Sequence, residues 1–283
     1  MGSHVLYEKK GYKAYIILNK PEKLNALDGE MYQDVLGYLK EADADESIRV
    51  VILKGAGRAF SAGYDIQAEM NLVETPMEER AGFRDGSNAA RWKMWEMGKP
   101  VICQIQGYCL GGGCELMMPA DYVISSDDCL IGEPQIQFGA ASVYLMVPWL
   151  TGLRKGKELM LTGEKINGKE AEACGFITKS VPLDELEQYV ENLADKLIKM
   201  PPEIISVQKW GINKQFETMG IRTGLDMWLD YTMYFRFFKT PEIEEFSRIS
   251  NEKGVKAALK WRDDYFAGKA GIGDEYPLCP ALR

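Results

Sequence analysis

Histidine is almost missing from this chain. Its 283 residues contain one, His4, inside an opening MGSH that reads as an expression scar (residues 1–4). Setting it aside excludes Ser-His-Asp and Cys-His triads, and His-ligated zinc and haem sites. Proton transfer near neutral pH then falls to carboxylates, Lys, Tyr, Cys or water. The six cysteines, at 103, 109, 114, 129, 174 and 279, show no CxxC spacing, which removes metal-finger and thioredoxin readings. No apolar run is long enough for a signal peptide or a membrane span. A cytoplasmic location with free, reduced thiols and no membrane partner is therefore expected. Cys109 and Cys114 flank a glycine run, where reactivity is conceivable but small buried apolar side chains are the plainer reading. Basic charge is short too. The 34 Lys and Arg against 42 Asp and Glu give a net charge of −8, and an acidic surface repels phosphate backbones, so no nucleic-acid partner is expected. A small anionic ligand on a local site stays open.

What is present is an ordinary globular composition, 46% hydrophobic and 27% charged. At this length roughly three quarters of the chain's surface can be hidden on folding. AYIILN (14–19), RVVILKG (49–55) and KPVICQIQG (99–107) read as strands, the last two buried on both faces. DYVISS (121–126) and CLIG (129–132) read as short strands. Residues 28–42 carry Met31, Val35, Leu36 and Leu39 at helical spacing, with Asp28 as N-cap. Strands alternating with helices to about residue 135 indicate an α/β class. From about residue 140 the chain reads mostly helical, with an amphipathic helix over 184–200 that stops before Pro201-Pro202 and a final helix over 254–266. An α/β core over 5–200 and a helical portion over 201–283 is the natural division.

Two glycine-containing turns each follow a buried strand: GAGRAFSAGYDI (55–66) and GYCLGGGCELMMPAD (107–121). Glycine at a strand-to-helix turn lets backbone approach a ligand. A helix starting at 111–113 would begin with unpaired N–H groups, and two such groups from two turns would make an oxyanion hole. A phosphate cradle competes, but there is no GxxxxGK[ST] and no GxGxxG with a suitable acid. Glu115, three residues after Gly112 and followed by LMM, places a carboxylate beside whatever those N–H groups hold. A solvated helix-capping acid is its plain alternative.

These strings, with NKPEKLNAL and LTGEKINGKEAEACGFITKSV, taken in order from about Tyr7 to about Phe266, resemble the enoyl-CoA hydratase/isomerase (crotonase) family. The resemblance implies a spiral of ββα turns and makes the helical C-terminal region a trimerisation element, with a homotrimer or homohexamer as the assembly. It implies an acyl-CoA substrate whose thioester carbonyl is polarised by two backbone N–H groups, and no cofactor beyond the coenzyme A of the substrate. Residue by residue, the oxyanion N–H groups fall on Tyr64 and Gly112, and the first hydratase carboxylate on Glu115. The loop at Glu22, Lys23 and Leu24 would border the CoA, and Ala62, Asp65 and Ile66 its adenine. Lys256 or Lys260 of the final helix would reach CoA phosphates.

The chain departs from the pattern where the second carboxylate belongs, at Gln135. An amide can hold a water but cannot exchange protons. Glu133, two residues earlier on a strand-like stretch, shares its face and could substitute, or be a surface acid. GAASVYLMVPWL (139–150) replaces a Gly- and Pro-rich stretch of the family. Trp92 and Trp95, with Tyr144, would shape a pocket for an aromatic or alicyclic acyl group, or simply be core. The aromatic run over 231–238 reads as a subunit interface. The expected function is reversible hydration of an α,β-unsaturated acyl-CoA. A double-bond isomerase and a ring-opening β-keto-acyl-CoA hydrolase are the alternatives within the family, and a non-catalytic acyl-CoA-binding protein is the alternative outside catalysis.

Overall fold

A computed structural model describes residues 4–66, 75–234 and 238–272. Strand β1 (Val5–Lys10) turns back through Gly11 and pairs antiparallel with β2 (Lys13–Leu18), Val5 opposite Leu18. From β2 onward every pairing in this sheet is parallel: β3 (Val50–Gly55), β4 (Val101–Ile105), β6 (Tyr122–Ser126) and β8 (Lys179–Val181) follow in spatial order. A second, two-stranded parallel sheet pairs β5 (Tyr108–Leu110) with β7 (Leu130–Gly132).

The unbroken apolar runs of β3 and β4 have a simple cause: both faces are covered. Side chains alternate across a strand. Val51, Leu53, Val101 and Cys103 join the main core, where helix α1 (Gly29–Ala44) contributes Met31, Val35 and Leu39. Val50, Ile52 and Ile102 point the other way, onto Leu186, Val190 and Ala194 of an amphipathic helix over Leu183–Leu197. Asp28 caps α1, accepting a hydrogen bond from the Met31 N–H at 3.0 Å.

The strand expected over 99–107 is shorter than its apolar pattern. It ends at Ile105, and Gly107, with φ +63°, swings the chain into β5 of the other sheet. A Cβ on Gly107 would lie 1.9 Å from the Arg58 carbonyl oxygen. Gly107→Ala is therefore expected to destabilise by about 3 kcal/mol or more, since overpacking costs roughly 1–3 and left-handed backbone about 1–2. Urea denaturation reads the loss. A change within 0.5 kcal/mol, roughly the range of neutral substitutions, would contradict this account of the corner.

The helical C-terminal portion comprises helices over Pro202–Thr218, Ile221–Thr232, Pro241–Lys253 and Val255–Phe266. The first is tied to the core by one buried side chain. Lys209 Nζ donates to the carbonyls of Met94 (2.8 Å) and Lys99 (3.1 Å) and pairs with Asp121 at 2.7 Å. None of the described helices is long and apolar enough to cross a membrane.

Candidate active site

The two glycine turns, far apart in sequence, lie against each other. The Ser61 N–H donates to the Tyr108 carbonyl at 2.9 Å, and the Leu110 N–H returns the bond to Ser61 at 3.0 Å. Gly63, at φ +104°, packs so closely that a Cβ there would lie 2.9 Å from the Leu110 oxygen and 3.5 Å from the Gly112 nitrogen. The backbone at Tyr64 and at Gly112 is thereby brought to one place. After helices α2 (Pro76–Asp85) and α3 (Ser87–Glu96), Gly112 opens a short helix, α4 (Gly112–Met117), where the first N–H groups have no partner within the helix. The Tyr32 hydroxyl, from α1, anchors that start by donating to the Gly112 carbonyl at 3.1 Å.

Glu115 sits in the first turn of α4 and is fully buried. Its Oε1 accepts hydrogen bonds from the Ser142 hydroxyl (2.7 Å) and the Val143 N–H (2.9 Å). Its Oε2 accepts from the Tyr64 hydroxyl (2.6 Å) and from Arg91 Nη2 (2.6 Å). A carboxylate offers about four acceptor directions, and four donors occupy them. Arg91, from a helix over Ser87–Glu96, is itself fully buried. It also donates to Asn88 Oδ1 at 2.6 Å and to the Tyr64 hydroxyl at 2.7 Å, with its guanidinium 5.1 Å from the Tyr144 ring centre. Burial works against the Arg91 charge, but the facing Tyr64, Glu115 and Tyr32 raise its affinity for the proton overall.

Gln135 lies beside Gly111, its amide carbon 3.5 Å from where a Cβ would be. Its Nε2 donates to Glu133 Oε2 at 2.7 Å. Glu133 is not a surface acid. It is buried, and burial first, then the nearby Cys114 and Glu115, push its carboxyl well above the usual carboxylate range. Its Oε1 and that of Gln135 are buried without a hydrogen-bond partner among the described residues.

The raised carboxyl has a sign that can be tested. Above the ordinary carboxylate pKa of about 4.3 the unfolded chain has released this proton while the native chain keeps it. Native stability therefore falls as pH rises, by up to about 1.4 kcal/mol per pH unit, until the native group also ionises. Glu133→Gln removes the term, so the variant should gain on wild type between pH 5 and pH 8 in paired urea titrations. Parallel curves would show that Glu133 carries no such proton.

A cavity of about 460 Å³ opens in front of this cluster. Of the residues expected from sequence, Leu24, Ala62, Tyr64, Ile66 and Gln135 line it. Gly112 and Glu115 stand behind Tyr64, whose ring lies 2.9 Å from where a Gly112 Cβ would be. Asp65 is buried next to that wall and takes Lys20 and Lys23, each at 3.2 Å, while Glu22 is exposed in the turn over Pro21–Lys23. Trp92, Trp95 and Tyr144, for which an acyl pocket and plain core were both open, do not line this cavity. Those rings pack together, Trp92 against Trp95 (6.4 Å) and Tyr144 (6.0 Å), and Trp95 Nε1 donates to Glu217 at 3.0 Å. They fasten the core to the C-terminal helices. The cavity walls are instead Phe83, Val143 and Met233, from segments that no local pattern links. The final helix reaches the cavity through Leu259 and Arg262, and Lys260 pairs one turn on with Asp264. Cys109 and Cys114 are buried packing groups, and burial pushes the Cys109 thiol up to about 11. Cys279 and residues 235–237 of the aromatic run lie outside the described residues.

Sequence reasoning missed Arg91. The signal was the position of one of the two cations in the stretch NAARWKMW: Arg91 falls three residues before Met94 and three after Asn88, on one helix face.

Known proteins share this frame. The short-chain-enoyl-CoA hydratase of Clostridium acetobutylicum is 31% identical over 75% of this chain and 82% of its own. The hydroxycinnamoyl-CoA hydratase-lyase of Pseudomonas fluorescens is 29% identical over 71% of this chain and 75% of its own. A solved enoyl-CoA hydratase/isomerase from Xanthobacter autotrophicus Py2 superposes with a TM-score of 0.89 at 31% identity, over 94% of this chain and 99% of that one. The sequence profile of one family, enoyl-CoA hydratase/isomerase, matches residues 8–263. Two glycine turns meeting beside a buried carboxylate thus come with a match along nearly the whole chain, and the protein belongs to the enoyl-CoA hydratase/isomerase family.

Proposed function

We propose that this enzyme reversibly hydrates an α,β-unsaturated acyl-CoA. The observation that carries the reading is the contact of the two glycine turns beside a cavity that Gly63, Tyr64 and Gly111 line, and the Tyr64 and Gly112 N–H groups would serve its back wall. There they would hold the thioester oxygen as it takes on enolate charge, each donor contributing about 3–4 kcal/mol to the transition state. Glu115 would store the proton, and Gln135 would orient the water through its amide. Walls made of Phe83, Tyr64, Val143 and Met233 suit an aromatic or alicyclic acyl chain, and one relative is named a hydroxycinnamoyl-CoA hydratase-lyase. The exposed apolar face of the helix over Pro202–Thr218, with Ile204, Val207 and Trp210, supports a homotrimer or homohexamer.

One observation favours a second reading. Glu115 has donors on all its acceptor directions, as a purely structural ion would. The protein would then bind acyl-CoA without turning it over. Mass spectrometry of linear, aromatic and alicyclic enoyl- and β-keto-acyl-CoAs after incubation decides between them. A gain of one water with the thioester intact supports hydration. Isomerised enoyl product, or ring-opened free carboxylate, replaces hydration by those reactions. Binding without turnover across the panel supports the second reading.

A further inference from the structure

Glu115 is fully buried and is not among the described residues that line the cavity. Among the described residues that hydrogen-bond to it, only Tyr64 and Val143 line the cavity, and Val143 offers a backbone amide. Ser142 and Arg91 are buried away from it. The Tyr64 phenol therefore stands between the carboxylate and any bound substrate. It donates to Glu115 Oε2 at 2.6 Å and accepts from Arg91 Nη2 at 2.7 Å. Its ring is fixed from three sides, by Gly112, by Phe83 in an edge contact at 5.9 Å and by Tyr32 at 6.0 Å. We propose that Tyr64 is a catalytic residue through its side chain, carrying protons between the substrate and Glu115, with Arg91 as the positioning residue that orients both.

This rests on the enolate chemistry proposed above. In the hydration direction the water oxygen bonds to the β-carbon and one of its O–H bonds breaks. That proton passes to the Tyr64 oxygen as the phenol's own proton passes to Glu115 Oε2, and the π electrons move onto the thioester oxygen. The enolate then collapses. Its α-carbon takes the proton from Tyr64, and Glu115 returns its proton to the phenol oxygen. Water is consumed, and both side chains end as they began. The role uses the side chain of a residue whose backbone N–H serves the same oxygen hole, so one residue would supply two parts of the machinery.

The test compares wild type with Tyr64→Phe on the same thioester panel in deuterated buffer, reading both water addition and exchange of α-protons. The charged and titratable groups facing the phenol are Glu115 from α4, Arg91 and Tyr32. Tyr64→Phe is expected to lower both rates by about 100-fold or more, the scale of one positioned acid–base group, while KM and binding of a saturated acyl-CoA stay unchanged. A fluorinated tyrosine at position 64, a more acidic phenol, should move the alkaline limb of the rate profile to lower pH. Arg91→Met should move it to higher pH, because loss of a neighbouring cation favours the neutral phenol, and Arg91→Lys should restore it. These readouts hold even if Tyr64→Phe folds poorly. Retention of rates within threefold by Tyr64→Phe, or a limb that the fluorinated residue leaves in place, overturns the assignment. Wild type that exchanges α-protons without adding water overturns hydration but leaves the Tyr64 comparison decisive. Wild type that does neither overturns both.

Discussion

Glu115→Gln should reduce turnover by about 10²- to 10⁴-fold, the range for loss of a positioned acid–base group. The substitution preserves size but not chemistry. An amide presents one acceptor and one NH2 group, whereas all four neighbours of Glu115 are donors: Arg91, Tyr64, Ser142 and Val143. Whichever way the amide turns, its NH2 faces one hydroxyl, which can rotate to accept, and one N–H, of Val143 or Arg91, which cannot. Some stability must be lost along with activity, so turnover has to be expressed per folded molecule. Ser142→Ala separates the two effects. It removes one hydrogen bond to the same carboxylate but keeps the charge and the Tyr64 contact, and it should cost about 1 kcal/mol with turnover near wild type. If Glu115→Gln loses activity only in proportion to its unfolded fraction, Glu115 is a structural ion and the binding-protein reading prevails.

The parts of this site that were legible in sequence are those that local pattern controls. Asp28 announces α1 because a short acceptor side chain caps free N–H groups. The glycines at 111–113 announce a turn followed by a helix, and Glu115 falls where expected in its first turn. Arg91 and Tyr64 were harder. Nothing local says that the guanidinium and the phenol share one carboxylate, because they converge from different elements across the core. Trp92 and Trp95 left pocket and core both open for the opposite reason. Their spacing marks a helix face, but which surface that face meets is decided by the C-terminal helices, through Glu217 and through Arg222 stacked 4.3 Å from the Trp92 ring centre. Glu133 shows the same limit. Two-residue spacing placed it near Gln135, but its burial beside Cys114 and Glu115 is a tertiary result that no local pattern shows.

The largest expected loss of stability follows from Arg91→Met. Arg91 and Glu115 are both fully buried and meet at 2.6 Å. Removing one partner of such a pair leaves the other charge desolvated, which typically costs about 3–5 kcal/mol. For a domain of this size that is a fall in Tm on the order of 10 °C. Protein concentration must be held constant, because any oligomer makes Tm depend on it. The pair itself need not stabilise the fold, since desolvating two ions offsets much of their attraction. A double-mutant cycle tells the difference. With Glu115→Gln already in place, no carboxylate is left to strand, and the added cost of Arg91→Met should shrink by more than about 1 kcal/mol, beyond the scatter expected of independent sites. Strict additivity would mean that Arg91 is held by Asn88, Ser87 and the two tyrosine rings and not by the carboxylate. Coupling would mean that a buried ion pair, weak as a source of stability, is kept for where it holds the proton-carrying groups. Arg91→Lys keeps the charge but loses the planar fork that reaches Glu115, Tyr64 and Asn88 together. Its Tm should lie between those of Arg91→Met and wild type, and a Tm as low as that of Arg91→Met would place the requirement on the fork's geometry rather than on the charge.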